Sequence, residues 1–149
     1  VGPQHAVAVA LISETLTRLT LENTHVRVQL PLTLGEYDEP FPDIAVVAGS
    51  PRDYLTNHPT TALLVVEVAE ASLRTDREIK GSLYAHAGVP EYWIVNLKAR
   101  VVEVYREPVS DDKAIYGASY RHRQVLAVGE VIHPLCCAEA SVAVERLLP

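Results

Sequence analysis

His5, Val9, Ile12, Leu16 and Leu19 recur at steps of three and four. That spacing predicts a helix with one core-facing stripe, flanked by Ala8, Leu11 and Thr15. Gly2-Pro3 suits its first turn. After Asn23-Thr24 the pattern alternates. Val26, Val28 and Leu30 against Arg27 and Gln29 predict a half-buried strand over residues 25–34. Residues 35–40 form a polar turn closed by proline. Pro42 must stand at the start or edge of the next strand, because it cannot donate to a ladder. Ile44, Ala45, Val46 and Val47 are wholly apolar, as in a strand buried on both faces. Residues 50–54 read as a loop with one helical turn.

A second apolar strand is expected over residues 60–69, at the centre of the sheet. A helix follows, with Ser72 as its cap and Ile79, Leu83 and Ala87 on one face. Gly88 and Pro90 stop it. Residues 91–97 are the next strand and residues 96–100 a short turn. Residues 101–105 return, and residues 108–113 form a polar loop. A final strand pair is expected from residues 120–128 and 131–132, turned at Gly129-Glu130. Residues 141–148 end in a helical turn. The order predicts an α/β fold with a central mixed β-sheet flanked by helices.

With 149 residues, 48% of them hydrophobic and 21% charged, the chain has the length and composition of one domain with a real core. The expectation is a single domain over residues 1–149. No apolar run reaches membrane-spanning length and no secretory leader is visible, so no membrane partner is expected. The sequence contains no methionine and opens on Val1. We therefore expect an N-terminal segment to be missing. Cys136 and Cys137 are adjacent and suit neither a mutual bridge nor a metal site of their own. A cytoplasmic location fits them. The net charge of -6 argues against broad, sequence-independent nucleic-acid binding, but not against a metal site built from carboxylates.

Two carboxylates interrupt or open the most apolar stretches. Asp43 opens the run to Val47, and Glu67 breaks the run from Leu63 to Ala69. Burying an unpaired charge costs several kcal/mol, so such groups are normally paired or metal-bound. If adjacent strands carry them, both point to one end of the sheet. Two hard oxygen ligands there suit Mg²⁺, which keeps several waters. Lys80, on the following helix, can reach back to orient a water or stabilise developing charge. Each residue also has a plain structural reading: a strand-start acid for Asp43, an edge-strand acid for Glu67, a solvated helix face for Lys80. His5 closes one end of the core stripe or projects towards the site. Tyr92 and Trp93 read as core or dimer interface rather than a base-stacking platform.

Pro42-Asp43 followed by Glu67-Val68-Ala69 resembles the PD-(D/E)XK nuclease superfamily. The stretch through Asp76-Arg77, Lys80 and Tyr84-Ala85-His86-Ala87-Gly88-Val89-Pro90-Glu91-Tyr92-Trp93 is similar to its Uma branch, a restriction-endonuclease family long catalogued as a domain of unknown function. The resemblance runs from about Gly2 to near the C-terminus. It implies a restriction-endonuclease-like core and metal-dependent cleavage of DNA, with Mg²⁺, or Mn²⁺ in its place, as cofactor. Asp43, Glu67 and the carbonyl of Val68 would be metal ligands. Ala69 stands where the superfamily pattern has its lysine, and Lys80 would be that residue, displaced to the next helix. Asp76 and Arg77 would position it or contact a phosphate. His5 matches a family histidine on the first helix.

The first reading is therefore an endodeoxyribonuclease of restriction type, with Asp43, Glu67 and Lys80 as catalytic residues and a homodimer as the expected assembly. The second is an inactive nuclease-fold module for binding nucleic acid or protein. A two-carboxylate glycosidase has little support, given the lysine and the apolar strands around the acids. Nothing beside Cys136 or Cys137 suggests an activated thiol nucleophile.

Overall fold

The computed structural model describes residues 1–19 and 22–149. Helix α1 (Pro3–Thr17) begins at Gly2 with Pro3 in its first turn, and buries Ala8, Val9, Ile12 and Leu16. This is the stripe the spacing predicts. Six strands follow in one sheet: β1 (Thr24–Val28), β2 (Ile44–Ala48), β3 (Leu64–Ala69), β4 (Glu91–Asn96), β5 (Val101–Ser110) and β6 (Ala118–Ala127). They lie in the order β1-β2-β3-β4-β5-β6. Only β3 and β4 are parallel, because only they are joined by a helical crossover. That crossover, α2, runs from Leu73–Thr75 through a π turn at Asp76–Lys80 into Gly81–His86. The result is the mixed sheet flanked by helices that the sequence predicts.

The central strands are buried on both sides, and alternate residues serve two cores. Ile44, Val46, Leu64, Val66, Val68, Trp93 and Val95 face α1 and the C-terminal turn at Val144–Leu147. Ala45, Val47, Val65, Ala69, Tyr92 and Ile94 face Tyr84 of α2 and Val89 beyond it. Tyr92 and Trp93 are both fully buried, which settles them as core. Among the described residues no helix is long and apolar enough to cross a membrane.

Several boundaries differ from the sequence expectation. The first strand stops at Val28, because Gln29 adopts a left-handed φ of 52°. The second apolar strand starts at Leu64 rather than residue 60. The first half of the polar loop expected at residues 108–113 is strand: β5 continues to Ser110 and pairs Pro108 with Tyr120. Pro108 is tolerated because β4 has ended opposite Arg106, so no ladder partner waits for its missing N–H. Consequently β6 pairs with β5, while β7 (Val131–Ile132) pairs with β8 (Val142–Ala143) in a separate two-stranded sheet. Ile79, expected on the buried face of the second helix, is 41% exposed, because the π turn rotates the stripe. Gly88, with φ 74°, stops the helix as expected.

Glu91 ties the C-terminal segment to the sheet. It is fully buried. Its Oε2 accepts from Arg106 Nε at 2.8 Å, and its Oε1 accepts from the Leu135 N–H at 2.9 Å. Arg106 Nη2 also donates to the His133 carbonyl at 2.7 Å. Removing the carboxylate strands a guanidinium and a backbone N–H together. Glu91→Ala is expected to lower the unfolding free energy by about 3 kcal/mol, measured from the urea midpoint. An unchanged midpoint would show that this tie does not hold the segment.

Candidate metal and phosphate site

The candidate residues meet at one end of the sheet. Ile44 pairs with Val66 across the antiparallel β2–β3 ladder. Asp43, one residue before β2, therefore stands beside Glu67 inside β3. Its own N–H donates to Glu67 Oε1 at 3.2 Å. Its Oδ2 accepts the Val68 N–H at 2.8 Å and lies 3.3 Å from His5 Nε2, at the start of α1. Asp43 thus binds the strand that carries Glu67 at two successive residues.

Glu67 is nearly fully buried. Its Oε2 accepts from the Tyr84 hydroxyl at 2.7 Å and lies 3.3 Å from Lys80 Nζ. Lys80 Nζ is also 3.2 Å from Asp76 Oδ1. Asp76 is itself buried, and its Oδ2 accepts from Ser72 Oγ at 2.7 Å. Ser72 precedes the helix, but its hydroxyl serves Asp76 and not the helix end expected of a cap. The π turn brings Asp76 and Lys80 to the sheet side, and α2 continues to Tyr84. Such turns recur at functional sites.

Val68 contributes backbone. In a strand the N–H and C=O of one residue point to the same side, and successive residues alternate. The Ala69 carbonyl accepts the Leu97 N–H, just beyond β4. The Val68 N–H points the other way, to Asp43, and its carbonyl therefore opens on the Asp43 side.

Arg77 does not join the group. Its Nε donates to Glu103 Oε1 of β5 at 2.9 Å, and Nη2 closes a second bond to Oε2. It holds the π turn against the sheet rather than lying beside Lys80. The sequence reading missed Tyr84, Ser72 and Glu70; the last lines the same cleft. Tyr84 could have been found four residues after Lys80, on the helix face that Asp76 and Lys80 share.

The cleft over Asp43, Glu67, Val68, Lys80 and His5 has a volume of about 470 Å³ and is open to solvent. A larger cleft of about 640 Å³, between α2 and the β5–β6 hairpin, contains none of those five residues. The candidate residues therefore line the smaller one. Among the described residues no three or more His, Cys, Asp or Glu side chains form a ready metal cage. Two carboxylates and a backbone carbonyl are instead the partial oxygen set that suits Mg²⁺, which completes its shell with water and substrate oxygens.

Burial dominates the electrostatics. It pushes the Glu67 carboxyl up to about 7 from 4.5, against the lowering effect of the Lys80 ammonium and the Tyr84 hydroxyl. Burial opposes the Lys80 charge too, but the Glu67 and Asp76 carboxylates outweigh it and raise the ammonium above the usual lysine range. Burial, then the Glu67 charge, raises the Tyr84 phenol far above its ordinary value, so its hydroxyl remains a donor. The folded state therefore holds the Glu67 proton more tightly than the unfolded chain. Its contribution to stability is full below pH 4.5 and is lost as pH rises through about 7. In EDTA, Glu67→Gln should gain stability over wild type as pH rises through this window, by on the order of 3 kcal/mol. Urea unfolding at pH 4.5 and pH 8 reads this. A gap that is the same at both values would show that the carboxylate is not strained by burial.

Residues 1–145 match the Uma2 family, described as "Putative restriction endonuclease". Among solved structures, the chain is similar to a putative nuclease belonging to DUF820 from Anabaena variabilis. That likeness has a TM-score of 0.69 at 14% identity, covering 99% of this chain and 81% of the other. At that identity it is a likeness of fold. A second overlap, with the type IIG restriction endonuclease BpuSI, has a TM-score of 0.46 at 14% identity, covering 75% of this chain and 12% of the other. A comparison with curated proteins gives no significant match. Because the family match runs from residue 1 to residue 145 of 149, the chain belongs to the Uma2 family of restriction-endonuclease-like proteins.

Proposed function

We propose that the protein is a divalent-metal-dependent endonuclease that hydrolyses phosphodiester bonds of DNA. The observation that carries this reading is the meeting of Asp43, Glu67 and Lys80 in one open cleft. Family membership supports the reaction class and the DNA substrate. Asp43, Glu67 and the Val68 carbonyl would hold Mg²⁺, or Mn²⁺ in its place. When bound, the ion would supply Lewis-acid activation of a water and neutralise charge on the phosphate.

The chain's own residues divide the remaining work. Asp43 fixes the strand end through the Val68 N–H, and His5 supports its second role as ligand by bonding the same Oδ2. Lys80 carries a charge that Asp76 and Glu67 keep in place at 3.2 and 3.3 Å. Its ammonium can orient the attacking water or stabilise the charge that develops on the phosphoryl oxygens. Ser72 holds Asp76, and Asp76 holds Lys80. Arg77 acts through the fold, by clamping the π turn to Glu103.

A second reading, a nuclease-fold module that binds without cutting, is favoured by the net charge of -6. Plasmid cleavage with Mg²⁺ separates the two. The wild type should nick supercoiled DNA. Lys80→Ala and Glu67→Ala should each lose at least about 100-fold in rate. EDTA should abolish cleavage. Equal rates in all three proteins would remove the assigned residues. Unchanged DNA affinity with no cleavage by the wild type would favour the binding module.

A further inference from the structure

We infer that Tyr84 sets which divalent cations the site accepts, by holding Glu67 to one metal-facing oxygen. The inference rests on the proposed metal role of Asp43 and Glu67. Glu67 Oε2 is already occupied on two sides, by the Tyr84 hydroxyl at 2.7 Å and by Lys80 Nζ at 3.3 Å. Among the described residues, Oε1 accepts the Asp43 N–H alone, at the longer distance of 3.2 Å. On Asp43, Oδ2 is occupied by the Val68 N–H and by His5. Each carboxylate therefore has one oxygen committed to protein donors and one less engaged.

The two donors on Oε2 differ in stiffness. Lys80 sits on a flexible stem, 37% exposed, and is placed by its ion pairs with Glu67 and Asp76. Tyr84 is fixed by its packing. It is fully buried and packed against the Tyr92 ring at 5.0 Å, which fixes its hydroxyl on Glu67. A carboxylate held in this way offers a cation one oxygen, not two. Mg²⁺ and Mn²⁺ take single carboxylate oxygens in octahedral shells, whereas Ca²⁺ favours higher coordination and readily uses both oxygens of one carboxylate. Tyr84 is thus a positioning residue, acting on the ion through Glu67. Its effect is selectivity for the smaller cation.

Tyr84→Phe removes one hydroxyl and keeps the ring. The preference for Mg²⁺ over Ca²⁺, taken as the ratio of dissociation constants from calorimetry, should fall by about 10-fold in the variant. Circular dichroism checks that the variant is folded. A folded Tyr84→Phe whose ratio stays within about twofold of wild type overturns the inference. A wild type that binds neither ion overturns it together with the metal reading. If the wild type binds Mg²⁺ and Glu67→Ala abolishes binding while Tyr84→Phe changes nothing, the metal reading stands and the inference alone fails. A measurement on the wild type covers the case of an unfolded variant. Infrared spectra of protein labelled with ¹³C-glutamate should show a wide carboxylate stretch splitting with Mg²⁺, the signature of one-oxygen ligation. A narrow, two-oxygen splitting overturns the inference without any variant.

Discussion

The burial of one carboxylate organises this molecule. Glu67 lies in a strand of which every residue is buried, where an unpaired charge would cost several kcal/mol. Its partners come from three places in the chain. The segment before β2 gives the Asp43 N–H, the π turn gives Lys80, and α2 gives Tyr84. Asp43 in turn draws in His5 from α1, on the opposite face of the sheet. Satisfying one acid therefore fixes where both helices and the entry to β2 meet the sheet. The compensation is incomplete, which is why the carboxyl stays raised to about 7. A site that leaves a buried acid under-compensated gains from any cation that enters.

The π turn is the local device that makes this convergence work. It puts buried Asp76 and Lys80 towards the sheet while Arg77 turns to Glu103. Glu103 accepts from Arg77 and from the Tyr105 hydroxyl, and these bonds outweigh its burial to keep it below the usual carboxylate range. The Tyr92 hydroxyl, reaching from β4, donates to the Asp76 carbonyl. The turn is thus tied to the sheet at two successive residues, Asp76 and Arg77.

Much of this is legible in the sequence, and the failures have physical causes. The apolar runs at residues 44–47 and 63–69 mark two adjacent strands, and the acids that open the first and break the second stand out because burial makes an idle carboxylate costly. The stripe on α1 and the glycine stop at Gly88 were equally plain. What could not be read is pairing at a distance. β6 takes β5 as its partner through a ladder of nine residue pairs, and no local pattern distinguishes that from a pairing with β7. The π turn is invisible to a 3.6-residue period, so Ile79 lies off the buried face that such a period assigns it. Tyr84 looked like core because it is core. Its hydroxyl matters only once Glu67 is seen against it.

The placement of Ala69 and Lys80 has a simple account in packing. Ala69 occupies the position where the superfamily pattern places a lysine. It is 1% exposed and joins the core cluster that contains Tyr84 and Tyr92. An alanine leaves room for them, and the rings in turn support the hydroxyl that Glu67 accepts. Lys80 brings an ammonium to the same carboxylate from the helix instead, along a stem that runs at the cleft edge. The small side chain of Ala69 leaves this core to Tyr84 and Tyr92, while the ammonium beside Glu67 comes from the helix.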